Sequence, residues 1–435
     1  MTLESILEHR NVLTALGQVV SKGGAPGVDG MTTEEVGPYL LKHWRELAPA
    51  ILEGRYRPQA VRRVEIPKPN GGMRQLGIPT VLDRVLQQSI AQELNRVYEP
   101  TFSAYSYGFR PGRSAHDALE QALTFLNAGR RYVVEIDLEK FFDRVNHDKL
   151  MFGLSLRIQD KRVLKLIRAY LTAGVLENGV VRPNEEGTPQ GGNLSPILSN
   201  IVLDRLDKEL ERRGHAFARY ADDLSIFVSS QRAGERVLEA MIEWIERVLS
   251  LKVNREKSGV RTVQDAGLLG FGFYYGAGGK IEARISTKAY TRLKGKLKTL
   301  TQRSQPGSIA ERLQRITQVT RGWVNYFGVA HGRQHLLAID EWLRSRLRMC
   351  IWKQWKRVKT RYAALRQLGV QHEQALQWAN TRKGYWRTAH SPILATTITT
   401  PRLKQRGYIA LTELYTHKRN ALTNRRDTRP VRPVV

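Results

Sequence analysis

The chain has 435 residues, 41% of them hydrophobic, and a single cysteine, Cys350; this excludes an internal disulfide framework and any zinc site built on paired cysteines, and points to a reducing compartment, the cytoplasm. No apolar run approaches the roughly 20 residues of a membrane span, and the length exceeds the roughly 100–200 residues of one domain, so two or three core-bearing units are expected. The net charge of +29 is unevenly placed, with 31 Lys and Arg against 6 Asp and Glu from Ile285 onward and 39 against 35 before it. Such a basic block suits a phosphate backbone, where each neutralised phosphate releases counterions. It spreads over several helical patterns, which argues against one amphipathic helix lying on a membrane.

In chain order, "MTLESILEHRNVLTALGQVV" reads as an amphipathic helix interrupted by Glu4, Glu8, His9 and Arg10, and not as a signal peptide. "SKGGAPGVDGMTTEEV" is a Gly-rich loop ending at a helix start, with Thr32 or Thr33 as the cap. "VRRVEI" and "MRQLGI" flank a Pro and Gly turn and predict a hairpin with Lys68 and Arg74 near its tip. A helix is predicted from Val81 to about Tyr98, and "SYGFRPGRSAHDALEQAL" is a loop entering a helix through a Ser114 and Asp117 capping box.

"RYVVEID" predicts a buried strand that ends at Asp137, with helical periodicity after it. A hairpin in "LENGVVRPNEEGTPQGG" and the helix "LSPILSNIVLDRLDKELERRG" lead to "FARYADDLSIFVSS", two strands joined by a tight turn with Asp222 and Asp223 at or beside it. "LGFGFYYG" is a short Gly-punctuated hairpin, and basic helical patterns follow. Helices between separated strands imply a mixed sheet with helices packed on it.

Alone, the Asp222 and Asp223 pair reads equally well as turn chemistry. Asp137 changes the balance, because it too ends a strand core of Val and Ile, and such strands commonly neighbour one another. Three ionised carboxylates brought together repel by several kcal/mol (an order of magnitude) unless a cation is present or a proton is taken up. Hard oxygen donors short of countercharge suit Mg²⁺, which binds through one or two carboxylates plus substrate phosphates. Two such ions stabilise the attacking and leaving oxygens of a phosphoryl transfer.

The ordered blocks "IPKPNGGMRQLGIP", "YGFRPGRSAHDAL", "VVEIDLEKFFDRVNH", "EGTPQGGNLSPILSNIVLDRLD", "RYADDLSIFV", "LKVNREKS" and "LGFGF" resemble those of the reverse transcriptases. They are most similar to the bacterial group II intron-encoded reverse transcriptases, or maturases, of the compact class without an endonuclease domain. The resemblance implies an α+β right-hand polymerase: fingers, a palm with a mixed or antiparallel sheet, an all-α thumb and a basic C-terminal helical region. It divides the chain into an N-terminal extension (1–60), fingers and palm (61–284), thumb (285–345) and DNA-binding region (346–435).

The resemblance also implies roles. Asp137, Asp222 and Asp223 would hold two Mg²⁺ ions, with Mn²⁺ as a substitute. Lys68 and Arg74 would reach the triphosphate of a dNTP, Phe142 would lie under its sugar and exclude a 2′-OH, and Gln190 and Gly191 would line its pocket. Lys257 would stand near the pyrophosphate as a proton donor. Arg110, Arg113, Gly270, Lys294, Arg344 and Arg348 would meet nucleic acid. The implied partners are an RNA template, a DNA primer, their duplex, dNTPs and a group II intron RNA, in the bacterial cytoplasm or nucleoid; a homodimer is compatible with it. Trp323, Tyr326 and Phe327 are expected in the core, whereas Trp352 and Trp355 fit a buried stripe and a base-stacking surface equally. With one cysteine, no HNH endonuclease is expected. Two further readings stay open: a free-standing enzyme of DNA repair or defence, and a non-catalytic RNA-binding splicing factor.

Overall fold

The computed structural model describes residues 1–67, 72–177, 180–182, 186–188 and 191–427. Two compact units divide after Ala266. The first opens with helices α1 (Leu3–Leu7), α2 (His9–Lys22) and α3 (Val36–Leu52), the hairpin β1 (Val61–Pro67) and β2 (Met73–Ile78), and helices α4 (Val81–Tyr98) and α5 (Ala115–Asn127). Strand β3 (Tyr132–Ile136), helices α6 (His147–Ser155) and α7 (Lys161–Thr172), and the hairpin β4 (Val175–Glu177) and β5 (Val180–Arg182) follow. Helix α8 (Ser195–Arg212), strands β6 (Ala216–Tyr220) and β7 (Asp223–Val228), helix α9 (Gln231–Trp244) and strand β8 (Gly259–Thr262) complete it.

One sheet has the order β2-β1-β4-β5, mixed because β1 and β4 run parallel. The other, β6-β7-β3-β8, is antiparallel throughout. Helices α5 and α9 pack on this second sheet, so nearly every residue of β6 and β7 is buried. Helix α4 is buried on most of its circumference, with Asp83, Arg84, Gln87, Ser89 and Glu93 enclosed beside its apolar residues. Its start is set by Thr80, whose hydroxyl accepts from the Asp83 amide, and the Ser114 and Asp117 capping box starts α5 as predicted.

Three local expectations are corrected. The N-terminal helix is two helices: Glu8 is extended, and the Asn11 side-chain amide takes the Ile6 carbonyl at 2.8 Å, satisfying the end of α1. Neither Thr32 nor Thr33 caps α3, because the Glu35 carboxylate folds back onto the Thr32 amide at 2.8 Å and the helix begins at Val36. After Asp137 the chain is not yet helical: Lys140 is left-handed, a short 3-10 turn spans Phe141–Asp143, and α6 starts only after its Asn146 cap.

The second unit begins with the antiparallel strands β9 (Gly267–Leu268), β10 (Phe271–Tyr275) and β11 (Ile281–Ile285). The LGFGF hairpin lies in this second compact unit. Helices α10 (Thr287–Leu300), α11 (Ile309–Phe327), α12 (Arg333–Gln354), α13 (Val358–Gln367), α14 (His372–Ala379), α15 (Tyr385–Ala389), α16 (Pro392–Thr397), α17 (Thr400–Gln405) and α18 (Leu411–Asp427) follow. The basic helix expected through Trp355 breaks after Gln354, where Arg361 Nε donates to the Trp355 carbonyl at 2.9 Å. Trp352 is 1% exposed and edge-on to Trp355, which makes it a core residue. Trp323, Tyr326 and Phe327 are half-buried in one aromatic cluster, where Tyr326 and Phe327 meet Phe271. Asp340 on α12 accepts from Tyr408 Oη, both amides at Leu411 and Thr412, and Thr412 Oγ1, so one buried carboxylate satisfies orphan donors of α18. Among the described residues no helix is long and apolar enough to cross a membrane.

A pH dependence follows from α8. Burial first, and then the neighbouring Asp207, push the Asp204 carboxyl up to about 6. Between its ordinary value and 6 the folded chain holds a proton that the unfolded chain has lost. This contribution to stability is therefore present in acid and disappears as pH rises through 6. Asp204→Asn should raise the melting midpoint at pH 7.5 and flatten its decline between about pH 4 and pH 7 relative to wild type; parallel curves for the two proteins would contradict this.

Candidate active site

The register of the second sheet builds the site. Ile136 of β3 pairs with Leu224 of β7, so the next residue, Asp137, lies opposite Asp223. Asp222 sits in the turn between β6 and β7, whose last pair is Tyr220 with Asp223. Ala221, just before it, has φ +57, a left-handed conformation that costs a non-glycine residue roughly 1–2 kcal/mol and marks an over-determined turn. Gly108 explains part of that constraint: a Cβ there would stand 2.2 Å from the Ala221 nitrogen, so only glycine lets the 106–110 segment back the turn.

Asp137 is fastened by the segment Asn254–Ser258. Its amide donates to Ser258 Oγ at 3.0 Å, and its carbonyl accepts from the Asn254 amide at 2.8 Å. The same segment brings Lys257 Nζ to 3.1 Å from Asp137 Oδ2. Desolvation and the nearby Asp137 raise the Asp222 carboxyl above the ordinary carboxylate range. Asp223 reaches solvent, yet the crowding of its carboxyl, followed by Asp222, Asp137 and Glu135, pushes it up to about 6. The acids thus form a patch of negative charge short of countercharge.

A cleft of about 490 Å³ opens over this patch, lined by Arg74 and its hairpin neighbours, by the segment from Asp137 to Asp143, and by Asp222, Asn254 and Lys257. Arg74 stands on the exposed half of the β1–β2 hairpin. Phe142 is half-buried, edge-on to the fully packed Phe141 at 5.3 Å, and faces the cleft. Its backbone is held from behind: the Thr188 amide donates to the Phe142 carbonyl at 2.6 Å and the Gly187 amide to that of Val145 at 2.8 Å. Gly187 has φ +87, and a Cβ there would meet the Phe142 carbonyl oxygen at 2.7 Å.

Other expected site residues fare differently. Lys68 and Gln190 lie outside the described residues. Gly191, at φ +114, is required by the Gly77 carbonyl, which a Cβ would approach to 2.8 Å, so its close approach is to the hairpin. Arg110 is corrected: its buried guanidinium is committed to Glu99 and to the Ser103 and Ser106 carbonyls, which leaves it no donor for nucleic acid. Arg113 donates to the Ala104 carbonyl at 2.6 Å and lies over Tyr107. In the second unit, Gly270 makes the turn between β9 and β10 at φ +86 under the Phe327 ring. Arg344 is half-buried on α12, and Arg348 donates from Nε to the Ile398 carbonyl at 2.9 Å, tying α12 to the end of α16. Lys294 is exposed, its ammonium over Trp342.

Two groups escaped the sequence reading. Ser258 and Asn254, which hold Asp137, carry no signal beyond turn-forming residue types. Arg219 did carry one, a lone cation in an otherwise buried strand, and it proves to be 1% exposed.

The fit of divalent ions rests on the donor set. Among the described residues no group of three or more His, Cys, Asp or Glu side chains is by itself placed to hold a metal ion. Carboxylate oxygens with uncompensated charge, beside an open cleft, instead suit an ion completed by substrate phosphates.

An antiparallel sheet that sets acids from a strand end and an adjacent hairpin turn under a cation-walled cleft defines a nucleotide polymerase palm. The chain belongs to the reverse transcriptases that carry a maturase domain: residues 66–273 match the reverse transcriptase (RNA-dependent DNA polymerase) family, and residues 290–369 the group II intron maturase-specific domain. It is a reverse transcriptase, of a family that works with divalent metal ions. Protein YkfC of Escherichia coli is 34% identical over 284 residues, 56% of this chain and 74% of that protein. Group II intron-encoded protein LtrA of Lactococcus lactis is 40% identical over 181 residues, 41% of this chain but 29% of LtrA. A telomerase structure from Candida albicans, with a fragment of telomeric RNA, aligns over 76% of this chain and 65% of its own at 12% identity and a TM-score of 0.43.

Proposed function

We propose that the protein extends a DNA primer on an RNA or DNA template in this cleft, adding dNTPs by nucleotidyl transfer, and that it binds a group II intron RNA to assist splicing and mobility. The observation that carries the first part is the register that sets Asp137 opposite Asp223, beside Asp222 in the turn. Asp137, Asp222 and Asp223 would hold two Mg²⁺ ions, or Mn²⁺ in their place. Bound there, such ions supply the positive charge that activates the primer 3′-hydroxyl and stabilises the departing pyrophosphate. Arg74 orients the triphosphate from the hairpin, its forked guanidinium matching phosphate oxygens. Phe142 closes the floor under the sugar. Lys257 leaves its pairing with Asp137 and protonates the pyrophosphate. The work is assigned to the bacterial cytoplasm and nucleoid.

Extension of a labelled DNA primer on an RNA template in Mg²⁺ tests the enzyme. Template binding without extension would instead favour a splicing factor that has lost its chemistry. Sequencing the RNA that copurifies from native cells tests the intron part: one structured RNA carrying this gene supports it, and a mixed population points to a free-standing enzyme.

The basic surface of the second unit has its own expected result. Lys294, Lys296 and Lys298 are exposed on α10. If they meet phosphates, replacing all three by Gln should make the slope of log K against log[salt] shallower by about 2 to 3, at 0.7–0.9 per contact. The melting midpoint should stay put, since none of the three is buried. An unchanged slope would remove α10 from the nucleic-acid surface.

A further inference from the structure

We propose that Arg219 is a positioning residue for the turn that carries Asp222; the inference rests on the role proposed for Asp222 above. Arg219 is the penultimate residue of β6, its side chain is fully enclosed, and every guanidinium N–H is used. Nε and Nη2 donate to the two oxygens of the equally buried Asp207 at 2.7 and 2.6 Å. Nη1 donates to Asn200 Oδ1 at 3.1 Å and to the Ala221 carbonyl at 2.8 Å, and Nη2 also to Ser106 Oγ at 2.8 Å.

The bond to Ala221 is the informative one. That carbonyl belongs to the left-handed residue on which the turn reverses, and its peptide plane continues into the Asp222 amide. Fixing the carbonyl fixes the rotation of the plane, and so the direction in which the Asp222 side chain leaves the turn. The other bonds tie this point to rigid elements. Asn200 and Asp207 project from α8, and Asn200 Nδ2 also donates to the Gly108 carbonyl at 2.9 Å, beside the contact of Gly108 with Ala221. The backbone of Arg219 donates to the Tyr105 carbonyl and accepts from the Tyr107 amide. Helix α8, the 105–108 segment and the hairpin thus meet at one guanidinium.

A buried ion pair is weak evidence of a stabilising purpose, because well-packed apolar residues often serve the fold as well. A pair that also aims a catalytic turn is different, since its apolar replacement leaves the carbonyl unheld. This separates the two roles experimentally. In Arg219→Met/Asp207→Leu, the melting midpoint should stay within about 5 °C of wild type, and duplex affinity should be unchanged. The rate constant of nucleotide addition should fall by about 10²-fold, the scale of a misplaced reacting group. Amide exchange at Ala221 to Asp223 should accelerate in the same protein. If the double variant does not fold, Arg219→Lys keeps the charge opposite Asp207 and lacks the fork that reaches Ala221, and it should show the same loss of rate at unchanged duplex affinity. A folded variant with wild-type rate and exchange, beside an inactive Asp222→Ala, overturns the positioning role alone. Wild-type rate in Asp222→Ala overturns the assignment of Asp222 and this proposal with it.

Discussion

Asp222→Ala and Asp137→Ala should each slow nucleotide addition by roughly three orders of magnitude or more, about 4 kcal/mol of transition-state stabilisation. Each substitution removes oxygens that no neighbour can replace: Glu135 points along β3 toward Arg261, and Glu139 is engaged by Arg144 and Lys252. Folding should not suffer. Burial holds Asp222 and Asp223 above the ordinary carboxylate range, and Asp137, joined by Asp222 in the case of Asp223, adds repulsion, so removing Asp137 or Asp222 relieves the acids that remain. The check is single-turnover incorporation, with the melting midpoint and duplex affinity measured on the same samples. An alanine variant with near-normal incorporation would contradict the assignment, and one that is inactive because it is unfolded would show in the midpoint.

Phe142→Ala should change what is incorporated more than how fast. The ring is half-buried and meets Phe141 edge-on, and the 187–188 backbone anchors the main chain that carries it, which favours one ring position at the cleft. Discrimination against ribonucleotides should fall by roughly 10²-fold, about 2.7 kcal/mol, while deoxynucleotide addition remains measurable. The ratio of kcat/KM for a dNTP and its ribonucleotide reports it. An unchanged ratio would make Phe142 a packing residue only. The Phe141 side chain, 3% exposed, serves as the contrast, since its truncation should lower stability by roughly 3–5 kcal/mol.

The parts legible in the sequence were those with a local physical signature. Alternating apolar runs around Asp-Asp predicted β6, β7 and their turn, and the Ser114 box fixed where α5 begins. That Asp137 comes opposite the turn acids agrees with the electrostatic reading, in which three neighbouring carboxylates call for a cation or a proton. What stayed hidden depends on contacts distant in sequence. Arg110 looks like a phosphate ligand by residue type, yet Glu99 and the Ser103 and Ser106 carbonyls consume it, and Arg348 spends its Nε on the Ile398 carbonyl. The glycines of "TPQGG" read as a nucleotide-pocket lining, whereas Gly191 is demanded by the Gly77 carbonyl, and Gly108, which no local pattern marked, is demanded by the Ala221 nitrogen. Helix boundaries failed where a side chain intervened, as Glu35 does at Thr32 and Arg361 at Trp355.

The central claim is that Asp137, Asp222 and Asp223 gather the divalent ions on which the chemistry runs. Mn²⁺ binding, followed by the paramagnetic signal of the free ion, tests it most directly in a complex of the protein with template–primer duplex and a non-hydrolysable dNTP. Wild type should take up about two ions per complex that Asp137→Asn/Asp222→Asn/Asp223→Asn does not, at equal duplex affinity. Equal uptake by the two proteins would contradict the account.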